Sequence, residues 1–213
     1  MDRVSIIFFV GLVAAVILHE VSHGVVALWL GDDTARRAGR LTLNPIPHID
    51  VFGSLILPAI GALSGAPILG WAKPVPVNPT LLRRGRRDFV LVSLAGPATN
   101  LTLAALSALL ARGAYSAIGP FGGYYADLPL IVLVPFLFAM VNLFLGLFNL
   151  VPIPPLDGSA VLERMLPESA LAGWHKFRPY GLLVLFVLVF TTGFAGRAFE
   201  PVLHRLSQFT FGA

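Results

Sequence analysis

Three titratable side chains crowd into five positions of an apolar run, His19-Glu20-Val21-Ser22-His23. On a helix, residues i and i+4 stand about 40° apart, so both imidazoles face one point in space. Two imidazole nitrogens at that spacing can hold Zn²⁺. The Glu20 carboxylate is then placed to take a proton from water at the metal. The competing interpretation is a pair of structural His residues beside a buried Glu. Inside a bilayer, three such side chains would cost several kcal/mol unless they serve a site. The chemical reading prevails.

A catalytic zinc takes a third protein ligand and leaves its fourth position open. With no Cys in the chain, that ligand is nitrogen or oxygen. His48, Asp50, Asp127, Asp157 and Glu163 lie near apolar segments, and Asp157 stands out among them. It follows Asn149 in a stretch, Phe148 to Gly158, that carries Pro152, Pro154 and Pro155. Prolines break helices, and broken helices at membrane depth mark binding sites in membrane proteins.

The elements that must position these residues follow from composition. The 213-residue chain is 56% hydrophobic and only 12% charged, about half the roughly 25% charge of a soluble domain. Disordered chains and disulfide scaffolds are excluded, and the composition argues against a soluble enzyme, with few polar side chains left to cover its surface. The net charge of +4 does not point to nucleic acid, because the positives sit in short connectors between apolar runs. The expectation is an all-α polytopic membrane protein, one integral-membrane domain over 1–213 with about four to six transmembrane helices. Spans are expected at about 4–30, 89–111, 128–150 and 181–199, with an interfacial helix at 160–176. The first run carries no small-residue cleavage site and is not read as a removable signal peptide.

Between the first two spans, Val51–Trp71 is apolar but interrupted by glycines and by Pro58 and Pro67. Two similar pieces flank it, Leu41-Thr42-Leu43-Asn44-Pro45 and Val75-Pro76-Val77-Asn78-Pro79. Paired as a hairpin, they would make 40–80 a re-entrant segment. Charge counting agrees. A segment that dips and returns puts Arg36, Arg37, Arg40, Lys73, Arg83, Arg84, Arg86, Arg87, Arg164, Lys176 and Arg178 inside, 11 of the 15 basic residues. Full crossing leaves 9 inside, and separates the His pair from Asp157 in depth.

The combination of HExxH in one span with an Asn-x-x-Pro-x-x-x-Leu-Asp-Gly stretch, Asn149 to Gly158, after a later one resembles the site-2 protease family of intramembrane zinc metalloproteases. Gly31-Asp32-Asp33-Thr34-Ala35, Gly39-Arg40-Leu41-Thr42-Leu43-Asn44-Pro45, His48-Ile49-Asp50, Gly70 through Pro79 and Ala95-Gly96-Pro97-Ala98-Thr99-Asn100 are similar to the small subgroup without PDZ or CBS domains. The resemblance implies that His19, His23 and Asp157 ligate one Zn²⁺ and that Glu20 is the general base. It also implies a site inside the membrane, nearer the cytoplasmic face of a prokaryotic cell membrane. The implied partners are membrane lipids and a transmembrane protein or peptide substrate, and the oligomeric state stays open.

Asn100 and Asn149 are expected to support the site or bind substrate, Asn100 rather as an interhelical hydrogen bond. His48 and Asp50 read as caps of the loop entering Val51, and Arg83–Arg87 as a contact for anionic lipid. Two other functions share these residues: a non-catalytic protein that binds transmembrane helices, and a metal transporter. Neither needs a base beside the His pair, so the intact Glu20 argues against both.

Overall fold

The computed structural model describes residues 2–50, 53, 56, 72–119 and 127–212, with the backbone alone for 190, 192, 194 and 195. Its frame is α1 (Arg3–Trp29), α3 (Arg86–Ile118) and α4 (Leu130–Asn149), packed pairwise, with short α2 (Thr34–Arg37) following α1. These three are the helices among the described residues that are long and apolar enough to cross a membrane. The 27 residues of α1 reach about 40 Å, more than the ~30 Å hydrocarbon core. Asp2 starts it, its side chain accepting the Ser5 amide.

Direction follows from which side chains meet. His19 and His23 of α1 bond Asn100 and Val92 of α3, so these helices are antiparallel. Asn100 bonds Asn142 of α4, and the Pro97 carbonyl lies against Gly146, so α3 and α4 are antiparallel as well. Helices α1 and α4 are therefore parallel, which brings the second half of α1 and the end of α4 to one end of the bundle. Small residues permit the close approach. A Cβ on Gly146 would sit 2.9 Å from Leu101 Cγ. The apolar core occupies the other end, where Ala108, Ala111, Val132, Leu133, Phe136 and Leu206 are buried together. Outward positions such as Phe9, Leu109, Leu110 and Ile131 are exposed and apolar, as a lipid-facing surface requires.

Three expectations meet a different structure. The span expected at 181–199 is interrupted at Gly193, which is left-handed at φ 61°. It separates α7 (Gly181–Thr192), 12 residues long, from α8 (Phe194–Phe211). Helix α8 exposes Arg197, Glu200, His204 and Arg205 while Phe199 and Leu206 are buried, so amphipathicity displaces a uniform span. The helix expected at 160–176 is two, α5 (Gly158–Met165) and α6 (Glu168–Phe177). Pro167 forces Leu166 into extended backbone between them. Glu163 ties this pair together, accepting the Trp174 indole N–H at 2.8 Å, while its carbonyl accepts Arg86 of α3 at 2.6 Å.

Finally, no strand is present among the described residues: Leu41–Leu43 is a bend and Val75–Val77 is irregular. The backbone bond joining the two neighbourhoods is Lys73 N–H to the His48 carbonyl, 2.9 Å. Prolines at 45, 47, 74, 76 and 79 remove the amides that a ladder would need. The apolar stretch Val51–Trp71, expected to be re-entrant, lies outside the described residues apart from Gly53 and Ile56.

Candidate metal centre

His19 and His23 project from one face of α1, their rings 4.7 Å apart and nearly perpendicular. The third participant arrives by a reversal of the chain after α4. Residues 150–156 turn back, and Gly158 makes the turn possible, since a Cβ there would lie 2.1 Å from the Leu150 carbonyl oxygen. Gly181 is needed for the same reason, since a Cβ on it would lie 2.1 Å from the Pro154 carbonyl oxygen. This compact turn delivers Asp157, at the start of α5, to the His pair.

Asp157 Oδ2 lies 3.1 Å from His19 Nε2 and 3.5 Å from His23 Nε2. Ligand atoms at about 2.0–2.1 Å around a tetrahedral cation lie about 3.3–3.4 Å from one another, so these separations bracket a metal's edge lengths. Among the described residues, His19, His23 and Asp157 form the group able to hold an ion, with ligand atoms within 4.8 Å of one another. The other candidates are elsewhere. Asp50 accepts the Gly53 amide, Glu163 bonds Trp174, Asp127 is exposed and His48 bonds the Thr42 carbonyl.

Hydrogen bonds on the far side of each imidazole decide what the near side can do. The His23 Nδ1–H donates to the Val92 carbonyl at 2.7 Å, and the His19 Nδ1–H donates to Asn100 Oδ1. Asn100, fully buried, passes its own amide on to Asn142 Oδ1 at 2.8 Å, and Asn142 donates to the Phe138 carbonyl at 2.9 Å. This one-way chain of donors fixes His19 with its Nε2 lone pair facing Asp157, as the Val92 carbonyl does for His23. Two lone pairs and a carboxylate then confront one another. Asp157 Oδ2 is buried with no hydrogen-bond partner. Such an arrangement repels unless a cation lies between, and the nitrogen–nitrogen–oxygen donor set suits zinc.

Gly96 completes the cradle. A Cβ built on it would fall 2.5 Å from His19 Nε2 and 2.5 Å from His23 Nε2. Glu20 stands beside the cluster, its Oε2 accepting the Val75 backbone amide at 2.7 Å. Asn149 donates to the Leu145 carbonyl of its own helix at 2.9 Å, and no hydrogen bond joins it to the His pair. Sequence reasoning passed over Asn142, took Gly96 only as part of a motif and read Val75 only as part of a strand-like piece. A lone amide in the apolar run 130–149 was the available signal for Asn142.

Peptidase family M50 matches residues 115–192 of the chain, which include Asp157. YwhC of Bacillus subtilis is 36% identical over 195 residues, 91% of this chain and 84% of the relative. Rip2 of Mycolicibacterium smegmatis is 33% identical over 201 residues, covering 93% of this chain and 72% of the relative. Rip2 of Mycobacterium tuberculosis H37Rv is 37% identical over 188 residues, with coverage of 86% and 68%. All three carry names that place them among zinc metalloproteases. No solved structure matches the chain at comparable significance.

Proposed function

The chain belongs to peptidase family M50, the site-2 protease family, and is a zinc metalloprotease; from that premise we propose that it cuts transmembrane segments of other proteins within the bilayer. The observation that carries this reading is the convergence of two imidazole lone pairs on a buried, unpartnered Asp157 oxygen, beside Glu20, between apolar helices.

In this proposal His19, His23 and Asp157 hold the metal, while Asn100 and the Val92 carbonyl keep each imidazole in its ligating tautomer. When bound, zinc supplies a Lewis acid for the scissile carbonyl and lowers the pKa of water towards neutrality. Glu20 takes the proton from the attacking water and delivers it to the leaving amine, so each turnover returns the carboxylate to its starting state. A helical substrate hides its carbonyls in i to i−4 bonds and must unwind locally before any of this can happen.

Basic residues concentrate near the site's end of the bundle, as Arg86 on Glu163 illustrates. By the positive-inside rule that end is cytoplasmic, and bacterial relatives suggest a prokaryotic cell membrane. Arg83–Arg87 would rest on anionic lipid there.

The test is metal removal. Purified protein in bilayers should cleave a transmembrane peptide containing a helix-destabilised stretch. A chelator should abolish cleavage, and added Zn²⁺ should restore it. Cleavage that persists at full rate after complete chelation would contradict the proposal.

A further inference from the structure

The general base is not left to find its own position. Between Ala72 and Asn78 the chain crosses the second half of α1 as an irregular strap, anchored by hydrogen bonds to distant segments. Lys73 N–H donates to the His48 carbonyl at 2.9 Å, and the Lys73 carbonyl accepts Arg40 Nη2 at 2.6 Å. At the other end, Asn78 N–H donates to Asp32 Oδ2 at 2.6 Å. Asp32 is fully buried, and its second oxygen accepts the amide and hydroxyl of Thr34. Burial opposes its ionisation, yet these donors outweigh it and hold the carboxyl below the usual carboxylate range.

In the middle of the strap, Pro74 and Pro76 have no N–H. Val75 therefore carries the one amide between Lys73 and Val77, and that amide meets Glu20 Oε2 at 2.7 Å. The strap presses close. A Cβ on Gly24, one turn past Glu20, would lie 3.0 Å from Val75 Cγ1. Gly24 thus admits the strap to bonding distance of Glu20.

We propose that the Val75 backbone amide is a positioning group for the reaction, held at its height by Asp32. This inference rests on the protease reading given above. A Glu side chain has three rotatable bonds and loses roughly 1.5–2 kcal/mol of rotamer entropy when fixed. A charge-assisted bond to Oε2 fixes it in advance and leaves Oε1 to face the attacking water. Proline on both sides restricts the strap to extended backbone, so the donor itself does not wander. A base displaced by about 1 Å costs on the order of 10²-fold in rate.

Val75→Pro removes the amide and keeps the extended backbone, whereas Val75→Ala keeps the amide and trims the side chain. Both are compared with wild type in the full chain, reading kcat, KM and zinc content on the same transmembrane peptide. Val75→Pro should lose about 30- to 100-fold in kcat, with KM and one bound zinc unchanged, and Val75→Ala should keep kcat within about threefold. Asp32→Asn, which retains shape but offers Asn78 a poorer acceptor, should lower kcat about tenfold with zinc unchanged. Its result decides the matter if Val75→Pro does not fold. Equal losses in Val75→Pro and Val75→Ala would overturn the proposal in favour of side-chain packing. Unchanged or raised kcat in Val75→Pro, or unchanged kcat in Asp32→Asn, would overturn it too. A wild type without metal-dependent cleavage would instead defeat the protease reading itself.

Discussion

Replacing Gly96 by Ala should empty the metal centre while leaving the fold in place. In a helix interior Ala is favoured over Gly by about 1 kcal/mol, so local propensity predicts a slightly more stable α3. The geometry opposes this. The added methyl would stand 2.5 Å from both Nε2 atoms, in or against the space of a cation bound at about 2.0–2.1 Å. The imidazoles cannot step aside, because α3 itself pins them, His19 through Asn100 and His23 through the Val92 carbonyl. Losing even an outer hydrogen bond costs about 10- to 100-fold in metal affinity, and a steric block should cost more. Zinc measured on the purified variant should fall below about one tenth per chain, cleavage should vanish, and helical circular dichroism should remain. A variant with full zinc and full activity would show that the two imidazoles do not share a metal.

Glu20→Gln should have the opposite signature, with zinc retained and activity lost. Glutamine has the same shape, and its carbonyl oxygen can still accept the Val75 amide that now meets Glu20 Oε2. It cannot accept a proton from water. Removing a general base at this kind of site costs about 10²- to 10⁴-fold in kcat, and KM should move little because no proposed substrate contact is deleted. A kcat within a few-fold of wild type would assign proton transfer to another group.

How far these residues were legible in the sequence depended on what each one uses. The roles proposed for His19, Glu20 and His23 use side chains at helical spacing, and a helix is enough to bring these together. Asp157 was legible indirectly, because the prolines and Gly158 around it advertise a turn that a span would not tolerate. Asn100 betrayed itself as an amide in an apolar run, and Asn142 carried the same signal unread. Gly96 was quoted only as part of a motif. Its role depends on how closely α3 approaches α1, which is a tertiary quantity. The Val75 amide has no sequence signature beyond the prolines on either side, since any residue but proline offers the same donor. The helix expected to run unbroken through 181–199 stops at Gly193, and apolar content alone carries no sign of that break or of the face that exposes Arg197 and Glu200. The matching Asn-Pro pieces were read as strands; prolines deny both a ladder, and the second lies instead in the strap that Arg40 and Asp32 anchor.

The most direct test of the account is zinc stoichiometry by elemental mass spectrometry on wild type, Glu20→Gln and Asp157→Ala purified side by side. One zinc is expected in wild type, one in Glu20→Gln and close to none in Asp157→Ala, which leaves two imidazoles without the anionic ligand of the set. One zinc retained by Asp157→Ala with wild-type affinity, or none taken up by wild type, would contradict it.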